Sequence, residues 1–120
     1  MNVRIVRPDP TSESPTEERC LILESWNDES DPAVSIARAR VAPGATTQLH
    51  SLDVDERYVI VAGGGEVEVG DLPAAAVEPG DVVVIPAGAP QRITNNRDED
   101  LVFYCICTPR FRPDGYVALG

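Results

Sequence analysis

The sequence contains no lysine. All ten basic residues are Arg, set against 20 Asp and Glu, for a formal charge of −10 and a pI near 4.4. That balance excludes the clustered cations that neutralise nucleic-acid phosphates. It equally disfavours docking on an anionic membrane surface. Cysteine is scarce: Cys20, Cys105 and Cys107 form an odd set too small for a disulfide framework. Histidine occurs once, at His50. No apolar run is long enough to cross a bilayer, and the first ten residues lack the apolar stretch of a signal peptide. The expectation is a reduced, cytoplasmic protein with neither nucleic acid nor membrane as partner.

What is present is valine, glycine and proline. Hydrophobic residues make up 42% of the 120, with 9 Gly and 11 Pro as punctuation, which suits one small domain of short strands. The stretch 1–18 reads as an exposed N-terminal arm, because Pro8 to Glu18 is mostly Pro, Ser, Thr and Glu. Strands are expected at Cys20–Trp26, Ser35–Ala42, Thr46–Leu52, Glu56–Val61, Glu66–Val69, Ala74–Val77, Val82–Ile85, Gln91–Thr94 and Leu101–Thr108, with 110–120 as a short tail. Glu66 to Val69 alternates charge with Val, the period of a half-exposed strand. Leu101 to Thr108 is apolar on both faces, so both faces should be covered. Strands this short and evenly spaced point to a closed antiparallel β architecture with a mouth for a ligand.

One constellation carries chemistry. Gln48, His50 and Leu52 lie two apart on one expected strand and so share a face. Glu56 and Tyr58 open the next strand, and Gln91 opens another after a Pro-x-Gly turn. Gly44, His50, Glu56 and Gly63 fit the pattern G-x5-H-x-H-x3-4-E-x6-G, with Leu52 at the second His. Gly80, Pro86, Gly88 and Asn95 fit G-x5-P-x-G-x2-H-x3-N, with Gln91 at the His. These are the two motifs of the cupin family, over 44–63 and 80–95, and the chain resembles a small single-domain cupin. The resemblance implies an all-β, double-stranded β-helix or jelly-roll barrel, commonly a homodimer.

It also implies a divalent metal held by His50, Glu56 and Gln91, with Gln48 as a further oxygen ligand or hydrogen bonder. Such a mixed nitrogen and oxygen set would not distinguish Fe, Mn, Ni or Zn. The expected role is binding or converting a small molecule, with Glu56, His50 and Tyr58 as the catalytic candidates. Two other readings stand beside it: a metal-free isomerase or lyase using His50 and Glu56 as an acid–base pair, and a non-catalytic small-molecule or sugar binder. Cys105 and Cys107, two apart on the last strand, read as small core residues. Arg38 and Arg40 read as outer-face ion-pair partners. Of the twenty acids, only Glu56 is expected inside the barrel.

Overall fold

The computed structural model describes residues 2–120. Among these, eleven strands follow in order: β1 (Ser14–Pro15), β2 (Leu21–Trp26), β3 (Ser35–Val41), β4 (His50–Leu52), β5 (Asp55–Ala62), β6 (Gly65–Val69), β7 (Ala75–Val77), β8 (Val82–Ile85), β9 (Gln91–Thr94), β10 (Leu101–Thr108) and β11 (Tyr116–Ala118). They form two antiparallel sheets, ordered β1-β2-β3-β10-β5-β8 and β11-β4-β9-β6-β7. The sheets face one another as a jelly-roll barrel. No helix among the described residues is long and apolar enough to cross a membrane.

Alternation explains the core. Ala39 and Val41 of β3, Tyr58 and Ile60 of β5, and Leu101 and Phe103 of β10 point inward from the six-stranded sheet. Val67 of β6 and Ile93 of β9 meet them from the other sheet. Each large aliphatic side chain buried this way contributes about 2 kcal/mol. Residues between them face outward: Arg38 and Arg40 form ion pairs with Glu13, and Arg40 also with Asp100.

The motif residues outside the site hold turns together. Gly63 has φ +74°, and a Cβ there would lie 2.4 Å from the Asp100 carbonyl oxygen. Only glycine permits both that conformation and that approach. Asn95 is fully buried. Its Nδ2 donates to the carbonyls of Val41 (2.9 Å) and Glu99 (2.7 Å), and its Oδ1 accepts from the Arg97 amide (2.9 Å). One side chain thereby satisfies three backbone groups where β9 leaves the barrel.

Three expectations needed correction. The segment 46–52 is not one strand; Thr46 makes an isolated bridge to Thr94, and the ladder starts only at His50. The arm is not wholly loose: β1 pairs with β2, and the Gln48 amide donates to the Glu18 carbonyl at 3.0 Å. The tail turns through a 3-10 helix at Pro113–Gly115 and adds β11 to β4, setting Tyr116 opposite Leu52 and Ala118 opposite His50. Both end segments look like loops in composition, because each contributes only two or three paired residues.

Candidate functional site

A cavity of about 470 Å³ opens between the sheets. It continues into a deep chamber of about 30 Å³, room for one water-sized group. Glu18, Thr47, His50, Glu56, Tyr58 and Cys105 line the chamber. The outer part is walled by Leu52, Cys107, Phe111 and Tyr116, with Glu17 and Glu24 towards the mouth. Strand register explains the convergence. Glu56 and Tyr58 occupy alternate, inward positions of β5, while Cys105 and Cys107 do so on the neighbouring β10.

His50 is held on three sides. Its Nδ1 lies 2.7 Å from the Gln48 carbonyl oxygen, which can only accept, so Nδ1 carries the proton. Nε2 faces the Glu18 carboxyl, 3.5 Å from its Oε1. The Tyr116 ring stacks on the imidazole at 4.8 Å. Glu18 and Tyr116 were not anticipated as site residues. Glu18 closes a run of loop-type residues, and Tyr116 sits in a segment too short to read as a strand. The β11–β4 pairing brings Tyr116 to the histidine, and the hydrogen bond from the Gln48 amide to the Glu18 carbonyl brings Glu18.

Glu56 is 6% exposed. Its Oε2 accepts from the Cys107 thiol at 3.8 Å, and its Oε1 has no hydrogen-bond partner. Burial pushes its pKa up to about 7. The Glu18 charge adds to that rise, while the Gln91 amide and the two thiols pull part of the way back. Burial likewise raises Glu18, against the opposing influence of His50. The thiols are unreactive in this setting: burial pushes Cys20 and Cys107 up to about 12, and Cys105 well above its ordinary value.

The remaining expected site residues are placed differently. Gln91 pairs opposite His50 in the ladder, but its side chain is sealed at 0% exposure and does not line the cavity. Its Oε1 accepts a hydrogen bond from the Tyr58 hydroxyl, while its Nε2 is turned to the Glu56 carboxyl without a well-formed hydrogen bond. Gln48 points away from the chamber. Its Oε1 accepts from the Tyr116 hydroxyl at 2.6 Å and its Nε2 donates to the Gly120 carbonyl at 3.4 Å. The reason is the missing strand before His50: without period-2 backbone, Thr47 rather than Gln48 turns inward, at 4% exposure.

These donors fit a metal ion poorly. Leu52 offers no lone pair, Gln91 has its carbonyl oxygen engaged by Tyr58, and Gln48 is remote. Among the described residues no three His, Cys, Asp or Glu side chains converge closely enough to hold an ion.

No curated protein sequence matches the chain. Solved structures do. A conserved protein with a double-stranded β-helix domain from Klebsiella pneumoniae is 16% identical, covering 99% of this chain and 100% of that one, with a TM-score of 0.77. Oxalate decarboxylase from Bacillus subtilis is 18% identical over 98% of this chain and 33% of its own, with a TM-score of 0.79. Streptomyces PAC13, in a structure with uridine, is 13% identical over 98% and 92% of the two chains, with a TM-score of 0.77. At the sequence level the Cupin domain family (Cupin_2) matches residues 37–107, which hold both motifs and most of the barrel. The chain belongs to the cupin family.

Proposed function

We propose that the barrel is a metal-independent site for a small molecule, in which Glu56 and His50 act as an acid–base pair. The observation that carries this reading is the state of Glu56: deeply buried, one oxygen without a partner, and a pKa raised to about 7. A carboxyl so placed gives or takes a proton near neutral pH. His50 supplies the complementary group: the Gln48 carbonyl holds its Nδ1 and turns Nε2 towards Glu18. Glu18 lies against that nitrogen and orients it. Tyr58 keeps its hydroxyl proton, since burial raises its pKa well above the ordinary value, and braces the chamber through Gln91. The Streptomyces neighbour, seen with uridine, supports an uncharged or polar organic ligand in this fold.

Elemental analysis of purified protein, paired with carboxyl-carbon NMR titration, tests the proposal. The expected result is well under one metal per chain and a Glu56 midpoint near 7. One equivalent of a divalent metal, lost in His50→Ala, overturns it.

We further propose that the protein is a homodimer joined through the outer face of the six-stranded sheet. Val61, Val82 and Val84 are 44%, 57% and 67% exposed there, beside Val59, Tyr104 and Ile106. Arg57 is the one charged side chain set among them, between Val84 and Ile106. Monomers seldom leave such a cluster of apolar side chains bare, and two-fold self-pairing is the commonest way to cover it.

A further inference from the structure

We propose that the cavity takes an organic cation, an amine carried on an apolar or aromatic body, and rejects anionic ligands. This names the ligand class of the site above and rests on its metal-independent reading.

Among the described residues the cavity wall carries four carboxyl groups, Glu17, Glu18, Glu24 and Glu56, with His50 as its one basic side chain and none of the ten Arg. Arg19 and Arg112 flank the wall in sequence without lining it, and Arg112 lies 3.8 Å from Asp114. Arg38 and Arg40 reach Glu13 on the outer face, Arg57 donates to the Thr108 hydroxyl, and Arg110 donates to Asn27 Oδ1 at 2.9 Å. An anion entering would therefore meet like charge at the mouth, from Glu17 and Glu24, and lose its hydration among carboxyl groups. The acids alone would be a solvated rim. What makes them a binding wall is Glu56, which ends the cavity at 6% exposure with Oε1 unpaired. An orphaned buried carboxyl oxygen calls for a donor from the ligand, and an ammonium group is the donor that also meets the charge. The opposite wall fits the rest of such a molecule. Leu52, Phe111 and Tyr116 present apolar and aromatic surface, and the volume of about 470 Å³ suits a small organic molecule. The net charge of −10 adds a field that concentrates cations around the whole molecule.

A matched series separates charge from shape: phenethylamine, 2-phenylethanol and phenylacetate, titrated calorimetrically into chelator-treated protein near pH 8. Phenethylammonium should bind at least about tenfold more tightly than phenylacetate, a difference of ~1.4 kcal/mol. Glu56→Gln should lower its affinity about tenfold, as one charge-assisted contact requires, and leave 2-phenylethanol unchanged. Glu18→Gln provides the same comparison should Glu56→Gln fail to fold. Glu66→Gln, on the outer face, should change nothing, showing that the effect is local and not one of net charge. Phenylacetate binding as tightly as phenethylammonium, or no phenethylammonium binding at ~10 mM (weaker than the millimolar range of the feeblest specific ligands), overturns the inference. Repeating the series with Mn(II) distinguishes the two failures. Phenylacetate that binds only with added metal defeats the metal-independent reading itself. Phenylacetate that binds in chelator defeats the cation preference alone.

Discussion

A buried acid that titrates near neutrality leaves a mark on stability as well as on chemistry. Glu56 rises from an ordinary 4.5 to about 7 in the fold, so between those values the folded chain binds the extra proton. Stability from this group is therefore fully present below about pH 4.5 and is lost as pH rises through 7. The loss is on the order of 3 kcal/mol by pH 8. Glu56→Gln keeps the shape without the charge. Urea unfolding should find the variant more stable than the parent at pH 8, with the gap closing by pH 5. Equal stability at both values would place Glu56 in a wetter setting than described. The motif spacing identified this residue from the sequence, together with His50. Glu18 was illegible, because its inward turn depends on a hydrogen bond from Gln48 that no local pattern announces.

Strands carry the rest of what was readable. Val82–Ile85, Gln91–Thr94 and Leu101–Thr108 were legible to the residue, since each is a Val/Ile-rich or alternating run between clear turns. Thr46 to Leu52 was not, because its composition suits a strand while its backbone goes to the arm and to isolated contacts at Thr94 and Ile93. The Gln48 misplacement follows directly from that one difference. Packing between strands was also invisible in advance. Gly65 reads as the last of a flexible triplet, yet a Cβ there would sit 2.4 Å from the Thr94 carbonyl oxygen across the β6–β9 ladder. Gly65→Ala must push those strands apart and should cost about 2–3 kcal/mol. A thermal melt within a degree or two of the parent would show that the ladder yields freely.

At the scale of the molecule, charge and apolar surface divide the outer face of the six-stranded sheet. Arg38 and Arg40 pair with Glu13 and Asp100 over β3, while the valines of β5 and β8 lie towards the opposite edge. The proposed dimer uses the second surface. Light scattering should give twice the chain's 12.9 kDa, and Val84→Glu should return the monomer mass by placing two like charges across the axis. A parent that is already monomeric sinks the dimer. The doubly apolar β10 was the sequence feature that hinted at this face, and its position between β3 and β5 explains the hint. The strand that carries the histidine is anchored quite differently. β4 meets β9 at a single ladder position, His50 opposite Gln91; its other backbone anchors are the three pairs with β11 and the Gly88 amide, which donates to the Leu52 carbonyl at 2.7 Å. It is thus the seam of the barrel, where local opening costs least. Breathing along that seam would carry His50 and its stacked neighbour Tyr116 together away from Glu56, which sits on β5 of the other sheet. Ligand entry and release would then follow the parting of β4 from β9, with β11 carried along, and leave the core undisturbed.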